Sequence, residues 1–594
     1  MARRRIAPLA AALAALAALL AGCSTRTNVA ATGDSPALYT HVYVTAQAVW
    51  FNSSASAGPD DGGWVRFTPT TPVTVDLVTD SRGNFANLAT DLKLTAGSYS
   101  QVRFIPVDAS APLTVSAQTL GARYNMEADF VDSAGVTHQL PLELLNPDKG
   151  LGIQTSLRVP FGSIGAAFGA VSSTATAGTT TGTTLGTTTA TSATGTTTTA
   201  EFALTFDAVR DLTAFTYGGT SAVLLSSHVS AYDLSHSGGI QGQLTLTNLS
   251  LTSPNGTPGL EASAQVLSAD GTRHFVVART PVASDGSFTL YPLAASSSNN
   301  TGYDLVIHGP GIATIVIKNI LIPATGTRGV STTGTTAGTT TNPDTSPITP
   351  ANLVSIGTLI PRAAGTYTAN ITTAAGAPLP AGAEVAFYQT LPSAGEVPYV
   401  IEAAPIDPFN QVLANAQSLS AGTVDSGTYV SSGATITVVS AAPAEGAGTY
   451  QAAASAPLYA DGPLGTTVAA PTTAGVTTAA PVQVAALALA AGSSAASVAA
   501  SVQPASAGKY DHGELMLSQN GQLIASAPLD TALAAGGGTV QLAGIPAGTP
   551  ASVYYVSVRA WSSSDPSGTL ARQWYPDAVD LRTASSANVQ VSIN

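Results

Sequence analysis

Hydrophobic and polar residues alternate with a period of two over the first long patterned stretch of the chain. In residues 41–50, Val42, Val44, Ala46, Ala48 and Trp50 fall on one side of an extended backbone. His41, Tyr43, Thr45 and Gln47 fall on the other, because successive side chains of a strand point to opposite faces. The same alternation returns in Phe202, Leu204, Phe206 and Ala208, and again in Val223, Leu225, Val229 and Ala231. Turn residues separate such runs: Asp60-Asp61-Gly62-Gly63, Ala269-Asp270-Gly271 and Ser284-Asp285-Gly286 suit tight hairpins, where glycine accepts positive φ without a steric penalty. Long helical periodicity is absent beyond the first residues. The pattern predicts an all-β chain of short strands, each with one apolar face.

Two tracts break this pattern. Residues 172–200 are almost entirely Thr, Gly and Ala, and residues 325–350 are similar and contain Asn342-Pro-Asp-Thr-Ser-Pro347. Neither can bury a core, so the first is read as a loop insertion and the second as a flexible linker. The remainder divides into a segment 37–236 carrying the insertion, a segment 237–324, the linker 325–350, and two segments 351–492 and 493–594. The last two share a weak repeat: Leu458-Tyr-Ala-Asp461 followed by residues 477–484, against Trp574-Tyr-Pro-Asp577 followed by residues 582–591, each closing on Val-Gln-Val. These last two segments are each expected to form a β-sandwich of about seven strands.

The N-terminus reads Arg3-Arg4-Arg5, then apolar residues from Leu9 to Leu20, then Ala21-Gly22-Cys23. A charged start, a short apolar run and small residues before a cleavage point are the order of an export signal, and the run is too short to span a bilayer. Leu20-Ala21-Gly22-Cys23 resembles the lipobox of bacterial lipoproteins. The resemblance implies a signal peptide over 1–22, cleavage between Gly22 and Cys23, lipid on the Cys23 thiol and a lipidated tether over 23–36. Several acyl chains hold a protein stably at a membrane. Ser24 stands where a retention signal would place Asp, which implies the outer membrane. Cys23 is the sole cysteine among 594 residues, so no intramolecular disulfide is available and each domain must rely on its apolar core.

Residues 34–234 contain Asp34-Ser-Pro36, Val42-Tyr-Val-Thr45, Gly63-Trp64, Val75-Asp-Leu77, Gly97-Ser-Tyr-Ser-Gln-Val-Arg103 and Phe206-Asp-Ala-Val-Arg210. This set resembles a family of unknown function found at the N-terminus of bacterial lipoproteins. Residues 238–309, with Gly238-Gly-Ile-Gln-Gly-Gln-Leu244, Ala283-Ser-Asp-Gly-Ser-Phe-Thr-Leu290 and Tyr303-Asp-Leu-Val-Ile-His-Gly309, resemble a carboxypeptidase-regulatory-like, transthyretin-like sandwich. The fold class implied is a tandem array of Ig-like or transthyretin-like sandwiches. Neither resemblance supplies an activity.

Charged residues make up 9% of the chain, 34 acidic against 21 basic, which argues against a nucleic-acid partner because phosphate neutralisation needs clustered Lys and Arg. No Gly-x-Ser-x-Gly elbow and no phosphate-binding loop occur, and the histidines at 41, 138, 228, 236, 274, 308 and 512 include no His-x-x-x-His pair. No catalytic residue, cofactor or metal site is therefore assigned. The carboxylates Asp60, Asp61, Glu127, Asp129 and Asp132 lack the spacing of a calcium loop and are read as turn and strand-face residues. The strongest candidate for binding is aromatic. In residues 553–561, Tyr554, Val556, Val558 and Ala560 form a core face, leaving Tyr555, Arg559 and Trp561 on the other, with Trp574 and Tyr575 nearby. Such a face would stack a glycan, anchor an envelope protein, or pack against a neighbouring domain. The expectation is a non-catalytic, lipid-anchored envelope protein for binding, adhesion or assembly. A carbohydrate-binding accessory is the alternative, and a hydrolase whose site is hidden in tertiary structure comes last.

Overall fold

The computed structural model describes residues 24–594 except 35–38, 132–134, 160–198, 218–219, 227, 248–258, 297–301, 324–349, 374–377, 392–394, 408–416, 421–423, 433–434, 441–448, 470–476, 507 and 565–570. It is an all-β chain of four sandwiches.

In the first sandwich a four-stranded sheet runs Ser230–Asp233, Thr199–Phe206, Ser24–Gly33, Ala86–Thr95. It packs on a larger sheet built around Tyr39–Asn52, Gly97–Pro106 and Leu151–Val159. Phe202, Leu204, Phe206, Val223, Leu225 and Val229 all enter the shared core, as their alternation predicts. The strand Tyr39–Asn52 departs from strict alternation. A register shift between Ala46 and Ala48 turns the chain over, so Val42, Val44 and Ala46 are followed into the core by Val49 and Phe51. Trp50 is thereby sent to the other face, under the Arg66 guanidinium at 4.3 Å. One extra residue in a strand exchanges its two faces, which simple alternation cannot register.

The segment expected as a tether is corrected here. Ser24–Gly33 is an interior strand, paired in parallel with Thr199–Phe206 and antiparallel with Ala86–Thr95. Thr25, Thr27, Val29, Ala30 and Ala31 are each at most 1% exposed. Its small, weakly apolar side chains hide a strand that is covered on both faces.

The three following sandwiches share one strand order. Each pairs its first strand antiparallel with its fourth and parallel with its last: Ser237–Leu244 with Ser287–Ala294 and Leu353–Leu359, Thr366–Thr373 with Gln417–Ser420 and Thr477–Val484, and Ser494–Pro504 with Gly538–Ala547 and Ser586–Ile593. The opposite sheets repeat in the same way, ordered third, second, fifth, sixth, counting the core strands of each unit. The third sandwich inserts a hairpin, Val424–Ser432 and Thr435–Ser440, which extends the second sandwich's sheet through Thr314–Ile320.

Because Leu353–Leu359 completes the second sandwich, residues 325–350 are not a linker between domains, and the third sandwich starts beyond residue 351. Ile322 and Asn352 both border Gly238, so the chain leaves and re-enters the same sandwich at nearly the same place. The sandwiches also do not form an extended string. The fourth docks on the first, through Asn146 Nδ2 to Ser518 Oγ at 3.0 Å and Arg103 Nη2 to Asn520 Oδ1 at 2.9 Å. The third contacts the first, the second and the fourth, through Arg210 with Glu384, Lys318 with Glu396 and Tyr459 with Gly544.

Candidate functional site

The predicted aromatic face lies between domains. Tyr554, Val556, Val558 and Ala560 of Val553–Trp561 fill the fourth sandwich's core. The other face meets the first sandwich, where Tyr555 donates to Asp60 Oδ2 at 2.8 Å beneath the Lys149 ammonium. Arg559, 2% exposed, lies over the Phe215 ring and 3.7 Å from Glu143, which also holds Arg572 at 2.6 Å. Trp574 donates to Asp108 Oδ2 at 3.2 Å and packs with Leu145, Phe215, Leu224 and Met516. Trp561 is buried against His512, and Tyr575 donates to the Ser592 carbonyl at 2.7 Å. The structure therefore gathers Tyr555, Arg559 and Trp574 into one interface, with Trp561 and Tyr575 apart from it.

A second convergence, invisible in sequence, lies where the first three sandwiches meet. Asp207 caps the short helix Ala208–Asp211, accepting from the Arg210 amide, and this turn aims Arg210 outward from the first sandwich. Arg210 Nε reaches Glu384 Oε2 of the third sandwich at 2.7 Å, and Ser455 Oγ donates to Glu384 Oε1 at 3.1 Å. Arg279 of the second sandwich lies 3.1 Å from Asp207, 3.3 Å from Glu261 and 3.5 Å from Glu402. His228 sits between Asp211 at 3.4 Å and Glu384 at 3.7 Å, and His308 approaches Glu261 at 3.4 Å.

Burial and neighbouring charge set the protonation of this cluster. Burial alone would raise Glu384, but Arg210 and His228 outweigh it and hold the carboxyl at about 2. Burial, reinforced by Glu261, pushes Glu402 up to about 7. Burial and Asp207 push Asp34 well above the usual carboxylate range, and burial raises Asp211 against the opposing pull of His228. Burial would lower Arg279, but Asp207, Glu261 and Glu402 more than reverse it. The neighbouring charges thus favour charged Arg210 and Arg279 and an ionised Glu384, while burial favours the protonated forms of Asp34, Asp211 and Glu402.

A cavity of about 370 Å³ opens beside this cluster between the second and third sandwiches. Arg210, Arg279 and Glu384 line it together with Val276, Ala386 and Tyr388. Its guanidinium groups already face carboxylates, so the cavity offers paired charge rather than a free anion cradle.

Three residues of the quoted motifs, Asp207, Arg210 and Arg103, take part in these contacts between sandwiches. Asp207 and Arg210 belong to Phe206-Asp-Ala-Val-Arg210, and Arg103 ends Gly97-Ser-Tyr-Ser-Gln-Val-Arg103. Arg103 is fully buried and donates to the Lys149 carbonyl at 2.8 Å as well as to Asn520. Sequence reasoning missed Glu384, Glu402 and Arg279. The available signal was a charge within an otherwise apolar strand, as in His274–Pro281, in a chain with few charges.

Among the described residues no group of three or more His, Cys, Asp or Glu side chains is arranged to hold a metal. Asp60 is engaged by Lys149 and Tyr555, and Glu127 accepts from the Arg123 and Tyr124 amides at 2.6 and 2.8 Å. Burial and Glu127 raise Asp129 to about 7. Asp132, Gly22 and Cys23 lie outside the described residues. No helix among those described is long and apolar enough to cross a membrane.

Residues 28–227 match the family described as Domain of unknown function (DUF4382). No curated protein matches the chain. Among solved structures, the Bacillus anthracis TIE protein is 8% identical, with 94% of this chain and 69% of that one covered at a TM-score of 0.14. The shaft pilin spaA of Lactobacillus rhamnosus GG is 14% identical over 39% of this chain and 97% of that one, at a TM-score of 0.17. BcpA, the major pilin subunit of Bacillus cereus, is 11% identical over 60% and 99%, at a TM-score of 0.12. Likenesses this slight carry no functional argument, and the assignment of fold rests on the chain's own sheets.

Proposed function

We propose that this chain is a non-catalytic, lipid-anchored protein of the bacterial cell envelope, held at the outer membrane through Cys23, where it serves as a rigid β-sandwich body for assembly with other envelope components. The observation that supports a structural role is the engagement of its conspicuous polar chemistry between sandwiches. Arg210 is matched by Glu384, Arg279 by Asp207, Glu261 and Glu402, and Glu143 by Arg559 and Arg572. A glycan-binding role through Trp561, Trp574 and Tyr575 is less favoured, because the strand face beside them is covered by the first sandwich.

Two measurements test the proposal. Metabolic labelling with a fatty-acid analogue, followed by mass analysis of the N-terminal peptide, should show acylation that Cys23→Ser abolishes; an unmodified Cys23 would sink the anchor. Protease treatment of intact cells then asks which side the body faces. Survival until the outer membrane is opened supports an assembly role inside, and cleavage in intact cells moves the reading to surface adhesion.

A further inference from the structure

The first sandwich has a marked polarity of charge along its strands. Ser24 pairs with Thr95, Arg26 with Lys93 and Thr199, and Ser98 with Arg158, so these residues lie at one end. Arg26, Lys93 and Arg158 are exposed there. Arg26 pairs with Asp91 at 3.2 Å, while the strand residues 24–27, 92–100, 155–159 and 199–200 include no Asp or Glu. Glu201 lies farther in, opposite Asn28. The opposite end carries Asp34, Asp76, Asp80, Asp207 and Asp211, beside Gly33 and Phe206. In a chain with 34 acidic and 21 basic residues, an end whose described strand residues set Arg26, Lys93 and Arg158 against the one carboxylate of Asp91 stands out.

Cys23 is joined to this cationic end. Thr25 is already 1% exposed and clamped in the sheet, so at most about 7 Å of backbone separates the Cys23 Cα from a fixed point of the sandwich. A lipid on Cys23 therefore has almost no leash, and whatever surface the lipid enters must touch this end. We propose that the Arg26, Lys93 and Arg158 end of the first sandwich seats directly on anionic phospholipid headgroups, with Ser24–Gly33 running away from the bilayer and the acidic end turned outward to receive the second and third sandwiches. Cations close to an anionic surface attract it within a Debye length. This inference rests on the acylation of Cys23 proposed above.

The test uses the full acylated chain in phosphatidylglycerol vesicles. Acylation blocks the Cys23 thiol, so a fluorophore on Ser98→Cys or Thr79→Cys reports one end or the other against a headgroup-borne quencher. Label at 98 should be quenched at least about twofold more than label at 79; equal or reversed quenching overturns the seating. A second arm uses the unlipidated Cys23→Ser chain. Its binding to phosphatidylglycerol vesicles at low salt should fall roughly tenfold in Lys93→Gln/Arg158→Gln and be unchanged in Lys509→Gln, an exposed lysine of the fourth sandwich. Equal binding of the wild type and the double variant overturns the inference. If mass analysis shows no acyl group on Cys23, the anchor reading fails, and this second arm alone decides the seating.

Discussion

Arg210 and Glu384, separated by 174 residues in sequence, form a two-pronged ion pair that joins the first sandwich to the third. Both sit in a low-dielectric junction, so removal of one partner leaves an uncompensated buried charge. Glu384→Gln or Arg210→Ala should each cost about 3–5 kcal/mol, read as a lower urea midpoint for the transition that opens the junction. The Arg210→Met/Glu384→Leu pair should recover much of that loss, since replacing both charges removes the unpaired one. Equal losses in single and double variants would show that the pair itself is not what holds the sandwiches.

The junction also predicts a pH profile with two opposed limbs. Glu402 is raised from 4.5 to about 7 in the fold, so its contribution is complete below about pH 4.5 and is lost as pH rises through about 7. Glu384 is lowered from 4.5 to about 2, so its contribution is present above about pH 4.5 and is lost as pH falls through about 2. Asp129, raised to about 7, and Asp80, raised to about 6, act in the same direction as Glu402. Stability should therefore peak near pH 4.5–5 and decline toward neutrality. Glu402→Gln should flatten the decline between pH 5 and 7, and denaturant midpoints across that window check it.

Docking of the fourth sandwich on the first depends on Trp574 and on the Glu143, Arg559 and Arg572 cluster. Trp574→Ala removes a large packed ring and its bond to Asp108, and should weaken the docking by about 2–4 kcal/mol. Small-angle scattering should then report a larger radius of gyration, with circular dichroism unchanged because the sandwich core is untouched. An unchanged radius would mean that the remaining contacts suffice.

Ile322 and Asn352, on either side of residues 324–349, both border Gly238, so the intervening stretch begins and ends on the second sandwich rather than spacing two domains. Replacing it with eight Gly and Ser residues should leave the melting temperature within a few degrees of wild type, because loop entropy changes by only about 0.6 kcal/mol per doubling of length. A collapse of stability would show that the tract contributes contacts of its own.

Gly286 has φ +87°, and a Cβ there would lie 2.0 Å from the Leu244 carbonyl oxygen. Gly286→Ala should therefore destabilise the second sandwich by at least about 1–3 kcal/mol through backbone strain and the clash together, measured by thermal unfolding. Asp285, at the preceding turn position, accepts from the Ser287 amide and hydroxyl and should tolerate Asn better than Ala.

Local pattern alone specified a good part of this protein. The alternation of Phe202, Leu204 and Phe206 fixed a core face, the Asp-Gly turn at 270–271 fixed a hairpin, and the division of Val553–Trp561 into Tyr554, Val556 and Val558 against Tyr555 and Arg559 held in the structure, whereas the Asp-Gly turn at 285–286 joins strands of two different sheets rather than a hairpin. Those properties follow from the two-residue repeat of an extended chain and from glycine's freedom at positive φ, which act over a few neighbouring residues. Residues that are far apart in sequence decided the rest. Whether Arg559 and Trp574 meet solvent or Glu143 and Asp108, whether Leu353–Leu359 closes the second sandwich or opens the third, and whether Ser24–Gly33 hangs free or lies inside a sheet depend on partners distant along the chain. A side chain's type records that it needs a partner; only the tertiary fold decides which partner it receives, because burial and pairing energies depend on proximity in space.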